Sequence, residues 1–357
     1  MPATGQDPPF GIDCDIHPAL PSIAALFPYL PAYWSEQLRV RGTDGFDSIL
    51  YPPHAGFSCR ADWRDGGKPG TSLDALRRHA LDGFGTNIAV CNLLYNVAAV
   101  RNADLGTVLA RAMNDWLAAE WLDREKRLRA AIHIAPQDPL AAAEEIERRA
   151  ADPRFVHVLL PAMDETLFGK RQFRPIHEAA ARHALPLAIH AQMTATHATT
   201  SNGWPSHLAE DHIAMAHAFQ AQLLSFVHEG AFAAVPGLRL VLLESGFAWL
   251  PNFLWRADRT WKAMRAEVPW VDRPPSAILR ERVRIALQPA EAPPDPAELP
   301  ALLDQLGGDE LLLFSTDWPH AQFAGNDPFP AGFPAALRRR VTHDNPRATY
   351  PRIEVNA

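Results

Sequence analysis

The fold class predicted for this chain is a (β/α)8 barrel, on three observations. Eight short apolar runs recur along its 357 residues, stretches with helical spacing lie between most of them, and four runs end on a carboxylate or imidazole. The runs are continuous Val/Ile/Leu/Ala stretches, as expected for parallel strands buried on both faces. An open doubly wound sheet shows the same alternation. The count of eight and the chain length favour the barrel, which is often one large unit.

The predicted strands are Phe10–His17, Asn87–Leu93, Ala130–Ala135, Phe155–Pro161, Pro186–His190, Arg239–Glu244, Val283–Gln288 and Glu310–Thr316. Predicted helices are Leu73–Leu81, Asp104–Arg124, Asp138–Ala151, Phe173–His183, His207–Glu229, Phe247–Glu267 and Pro300–Leu306. Gly230 and Gly307 follow two of these helices, where a left-handed cap is expected. Residues 18–86 break the alternation and are read as an insertion over the barrel mouth, within a single domain spanning 1–357. Residues 191–206 and 289–297 read as further long loops on that face. No GxGxxG or Walker loop follows any strand, which removes the usual signs of a nucleotide site.

Composition narrows the function. The chain is 47% hydrophobic and 21% charged, an ordinary globular balance, and its net charge of -7 argues against a nucleic-acid partner. Three scattered cysteines form no disulfide framework and suit a reducing compartment. Met1–Phe10 lacks a signal-peptide pattern, and no apolar stretch is long enough to span a membrane. The expectation is a cytoplasmic enzyme acting on a small molecule, without a membrane partner.

The chemistry-bearing residues stand at predicted strand ends: Asp15 and His17 at strand one, His190 at strand five, Glu244 at strand six and Asp317 at strand eight. Barrel enzymes build their sites there. An Asp-x-His pair on a strand puts both side chains on one face. Any one of these residues recurs by chance in a chain with 15 histidines. Together they suit one divalent ion, Zn²⁺ or Mn²⁺, with two anionic ligands favouring Mn²⁺. A buried Asp317 without a partner is otherwise costly.

Asp15-Ile16-His17, Ile189-His190 and Ser315-Thr316-Asp317-Trp318-Pro319-His320 resemble the amidohydrolase superfamily, and within it the branch of aminocarboxymuconate semialdehyde decarboxylase and related aromatic-acid decarboxylases. The tail from His343 to Tyr350 resembles the closing segment of that branch. The resemblance implies that Asp15, His17, His190 and Asp317 bind a single metal. Strand four ends without the lysine or glutamate that bridges two metals in binuclear members.

The known decarboxylases also place a histidine at the end of strand six, where this chain has Glu244. Glu244 is open to three readings: a general acid or base, a group that binds the substrate, or an ion pair with Arg60 or Arg256. Asp317 is the other candidate for moving a proton. Arg60, with Arg64 in the same insertion, is a candidate for holding a substrate carboxylate, and His320 for lining the pocket or orienting Asp317. His54, His197, His207, His212 and His217 read as surface or core residues, and the Trp249–Trp261 series as packing.

The expected activity is that of a metal-dependent carboxy-lyase, a non-oxidative decarboxylase of a small aromatic or enol carboxylic acid. The alternative is a metal-dependent hydrolase of an amide, lactone or activated C–C bond using metal-bound water. A lesser alternative is a non-catalytic barrel. The resemblance brings a homodimer into view, with no interface legible in the chain.

Overall fold

Eight strands hydrogen-bond side by side in chain order in a computed structural model that describes residues 11–47, 49–192 and 203–353. They are β1 (Ile12–Ile16), β2 (Ile88–Cys91), β3 (Leu128–His133), β4 (Phe155–Pro161), β5 (Leu187–His190), β6 (Leu240–Leu243), β7 (Val283–Ala286) and β8 (Leu312–Leu313). Every neighbouring pair is parallel. The ring closes where β8 returns to β1: the Cys14 amide donates to the Phe314 carbonyl at 2.9 Å, Asp317 to Asp15 at 3.0 Å and His17 to Trp318 at 2.7 Å. This is the (β/α)8 barrel that the apolar runs predict.

Seven of the predicted strands contain an observed one, and most observed strands are shorter; β3 instead begins two residues before the predicted Ala130 and ends two before Ala135. Phe10 of the first prediction lies outside the described residues, as do His197 and most of the 191–206 loop. The largest contraction is in β8. After Leu313 the chain leaves the pleat, because Ser315 and Thr316 spend their polar groups on neighbours: the Gln288 amide donates to Ser315 Oγ, and Thr316 donates to Asp13. The predicted helix Leu73–Leu81 is a short α-helix, Leu73–Leu76, continued by a π-helix to Asp82, and the other six are present with shifted ends, at Ala103–Leu117, Pro139–Ala150, Arg174–Arg182, Leu208–His228, Leu250–Met264 and Leu299–Leu306. Side chains cap two of them: Asn102 accepts from Leu105 N, and Asp138 from Leu140 N and Ala141 N. Gly230 and Gly307 take the left-handed conformation just past their helices. The helices Ala32–Arg41 and Pro275–Arg282 lie where none is predicted. Their weakly amphipathic sequences gave no periodic signal.

Two apolar layers hold the barrel. Ile12, Cys14, Val90, Ala131, Val241 and Leu313 belong to the smaller one, and Tyr350 joins it from the C-terminal segment with its ring fully buried. The larger one packs the outward strand faces against the helices.

Residues 17–87 connect β1 to β2 and lean on three loops of the mouth. Asp47 bridges to Tyr95 beyond β2, Arg60 N donates to the Pro319 carbonyl, and Ala321 N donates to Phe57. Ala19 N donates to the Gly70 carbonyl at 2.8 Å. Gly70 has φ +80, and a Cβ there would meet the His17 carbonyl at 2.5 Å, so only glycine fits this approach. Among the described residues no helix is long and apolar enough to cross a membrane.

Two buried histidines give the fold a pH dependence. Burial lowers His133 and His177 to about 4, against the ordinary 6.5. The unfolded chain therefore takes up these protons first. Their contribution is fully present above pH about 6.5 and is lost as pH falls toward about 4, by a few kcal/mol in total. Urea unfolding should show the midpoint falling across that window. The slope should shrink in His177→Gln, and an unchanged slope in that variant counts against the assignment.

Candidate metal centre

The seam between β8 and β1 brings the strand-end residues together. The β1–β2 register shifts between Asp13 and Ile16, a bulge near the end of the strand. Beyond it Asp15 and His17 face the mouth, while Ile16 between them joins the outer core. His190 ends β5, Glu244 follows β6, and Asp317 lies four residues past β8. All five are buried, with Asp15, His190 and Asp317 at 0% exposure. Asp15, His17 and His190 bring one ligand atom each within 4.8 Å of one another, and so do His17, Asp317 and His320.

Both imidazoles of the set have a defined tautomer. His17 Nδ1 donates to the Asn92 carbonyl at 2.8 Å, and His190 Nδ1 to the Ala191 carbonyl at 2.7 Å. With Nδ1 so engaged, each Nε2 is turned to the centre. His17 Nε2 lies 2.5 Å from Asp317 Oδ1 and 3.4 Å from Asp15 Oδ1, and His190 Nε2 lies 3.5 Å from Asp15 Oδ2 and from Glu244 Oε2. Asp15 Oδ2, His17 Nε2, His190 Nε2 and Glu244 Oε2 are buried and none has an aligned hydrogen-bond partner. Buried polar atoms are nearly always partnered. Asp15, His17 and His190 supply three of these partnerless atoms and cluster within 4.8 Å, a carboxylate and imidazole set that fits a divalent cation.

Electrostatics follow from this crowding. Burial pulls the His17 pKa down, but the Asp15 and Asp317 carboxylates outweigh it and raise the pKa to about 9. Burial pushes Asp317 up, but His320 and His17 overcome it and hold the carboxyl well below the usual range. Glu244 moves the other way: burial, then Asp317 and Asp15, raise it well above an ordinary glutamate. Asp13, beneath the site, is raised by burial to about 7 while accepting bonds from Thr316 and Asp15.

His320 Nδ1 donates to Asp317 Oδ1 at 2.9 Å. Its ring stacks between Tyr51, at 3.5 Å and 6°, and His17, at 4.8 Å and 27°. A cleft opens beside this stack, walled by Leu20, Tyr51, Leu93 and Tyr95 together with His17 and His320.

Arg60 departs from the sequence expectation. Its guanidinium donates to both Asp62 oxygens at 3.0 and 2.6 Å and to the Gly325 carbonyl, and packs over Trp63 and Phe323. It does not line the cavity. Its donors are spent on bracing the loop after β8, so it is not free to grip a carboxylate. The ion-pair reading of Glu244 fails for the same reason with Arg60. Glu244 instead accepts from Gln322 Nε2 at 3.3 Å.

Sequence reasoning missed Gln322, Tyr51, Asn92 and His157. Gln322 Nε2 also donates to Asp317 Oδ2 at 2.7 Å and Tyr51 Oη at 2.8 Å, tying Glu244, Asp317 and the β1–β2 connection together. Asn92 stands just past β2, so a polar residue at a strand end was the available signal.

Glu244 and Asp317 share a backbone feature: both have positive φ, 56° and 57°. Strain of this kind gathers at functional positions. Alanine normally exceeds glycine in stability by about 0.4–1 kcal/mol. At Glu244 the left-handed penalty of about 1–2 kcal/mol for an L-residue should cancel or reverse this. Urea unfolding of Glu244→Gly and Glu244→Ala should find glycine at least as stable, and an alanine advantage near 1 kcal/mol would rule out strain there.

The sequence model of a family described as amidohydrolase matches residues 12–352. A gamma-resorcylate decarboxylase of Rhodococcus jostii (strain RHA1) is 28% identical over 278 residues, covering 70% of this chain and 82% of that protein. Among solved structures, a 2,6-dihydroxybenzoate decarboxylase from Rhizobium superposes with a TM-score of 0.67 at 22% identity, covering 96% of this chain and 98% of that one. A dihydroxybenzoic acid decarboxylase from Polaromonas sp. JS666, with bound manganese and 2-nitroresorcinol, gives 0.66 at 19% identity, covering 96% and 97%. At these identities the superpositions establish the shared barrel.

Proposed function

The chain belongs to the amidohydrolase family, and from that premise we propose that it is a metal-dependent carboxy-lyase acting on a small aromatic or enol carboxylic acid. The observation that carries this is the convergence of buried, partnerless donor atoms on one point at the barrel mouth. Gamma-resorcylate decarboxylases among the relatives support the reaction class. In this reading Asp15, His17, His190 and Asp317 hold one divalent ion, Mn²⁺ or Zn²⁺. The β1–β2 connection belongs to the same catalytic domain, since Tyr51 stacks on His320.

A divalent ion in this site supplies Lewis acidity and a template for the substrate's oxygens. The chain's own residues do the rest. The apolar wall of Leu20 and Leu93 receives the ring and limits water. His320 and Gln322 hold Asp317 in place through their bonds to its two oxygens. Glu244 is the carboxyl with an oxygen left over, and it delivers a proton to the carbon that bears the carboxylate. The C–C bonding pair returns to the ring as carbon dioxide leaves, and Glu244 is then reprotonated from solvent. Proton transfer of this kind contributes about 10²–10⁴-fold to rate.

Two outcomes follow. A metal-stripped sample should melt lower than one given Mn²⁺ or Zn²⁺, because an ion at 100 times its Kd stabilises by about 2.7 kcal/mol. Asp15→Asn and His190→Ala should lose most of that shift in differential scanning calorimetry, and a wild-type protein indifferent to both ions would defeat the proposal.

The metal-loaded enzyme should release carbon dioxide from a member of a panel of hydroxybenzoates and pyridine carboxylates. Glu244→Gln should lower kcat by about 10²–10⁴-fold, the span general acid catalysis supplies, with KM changed little. Silence across the panel together with lactone turnover would assign the protein as a hydrolase instead.

A further inference from the structure

We propose that Asn92 is a positioning residue that presets two metal ligands at once, and that His157 acts through it. The inference rests on the metal-centre reading of Asp15 and His17. Asn92 is fully buried just beyond β2. Its Nδ2 donates to Asp15 Oδ1 at 2.8 Å, and its backbone carbonyl accepts from His17 Nδ1 at 2.8 Å. One residue therefore fixes the carboxylate of one ligand and the tautomer of the other.

The Asp15 contact has a directional consequence. With Oδ1 held by the amide, Oδ2 remains buried and partnerless, 3.5 Å from His190 Nε2. The amide assigns one oxygen to the protein and leaves the other for the ion.

An amide presents either its oxygen or its nitrogen to a given neighbour, and its other contacts decide which. Here His157 decides. Its Nε2 lies 2.7 Å from Asn92 Oδ1 and donates to it. Turning the amide over would set Oδ1 against the acceptor-only Asp15 carboxylate and forfeit the His157 bond. His157 projects from the middle of β4, with its ring 5.6 Å from Tyr350. Its hydrogen bond to the site runs to Asn92, so its orienting effect on the ligands passes through that amide.

The test is calorimetric titration of metal-stripped protein with MnCl₂, with melting curves to establish that each variant folds. Asn92→Leu should weaken Mn²⁺ binding by about 10–100-fold, the usual effect of losing a group that orients a ligand. His157→Phe should weaken it less, and His157→Gln, which keeps a donor, should recover most of the loss. The double variant should bind no more weakly than Asn92→Leu alone, because the two act in series. Wild-type affinity in a folded Asn92→Leu protein overturns the proposal, and losses that add in the double variant overturn the role of His157. Should Asn92→Leu fail to fold, the comparison of His157→Phe with His157→Gln decides, and equal affinities overturn it. A wild-type protein that binds neither Mn²⁺ nor Zn²⁺ refutes the metal-centre reading itself, an outcome distinct from normal binding that Asn92 does not influence.

Discussion

The seam between β8 and β1 is the constraint on which the rest of the molecule depends. It closes the barrel with only a two-residue β8, so backbone pairing alone is thin there. Asp13 reinforces it, accepting from Thr316 Oγ1 at 2.6 Å and from Thr316 N at 3.1 Å across the join. That cross-link is buried, and burial raises the carboxyl of Asp13 to about 7. The same closure sets Asp317 beside His17. A slip at the seam would open the barrel and separate the candidate ligands in one movement.

Next in importance is the density of charge above the seam. Asp15, Glu244 and Asp317 are all buried within reach of two imidazoles. Burying like charges together is unfavourable unless a cation or a proton intervenes. The protein divides the task. His17 and His320 keep Asp317 ionised, Asn92 steadies Asp15, and Glu244 is pushed toward its protonated form. Two acidic side chains with opposite tendencies a few ångströms apart are the usual mark of a site that handles protons.

The second sphere explains how such a site stays in register. Gln322 bonds Glu244, Asp317 and Tyr51. Tyr51 in turn stacks on His320, which bonds Asp317. The long β1–β2 connection is thereby fastened to the chemistry as well as to the rim. Arg60 serves this fastening through Asp62, Gly325 and the Pro319 carbonyl. Its charge is spent on architecture.

The barrel was legible in the chain because parallel strands buried on both faces must be apolar throughout, and eight such runs stand out at β1 to β8. The candidate site was legible because a carboxylate or imidazole that ends a buried run needs a partner, and Asp15, His17, His190, Glu244 and Asp317 each end a predicted one. Local pattern therefore determined the fold class and the identity of these five residues. Other features were decided only by the tertiary structure: the commitment of Arg60, the stacking of Tyr51 on His320, the bridging by Gln322, the hold of Asn92 on Asp15 and His17, and the left-handed backbone at Glu244 and Asp317. Each of these depends on a distance between atoms far apart in sequence or on a backbone angle. Spacing along a chain carries that information only once the barrel has closed.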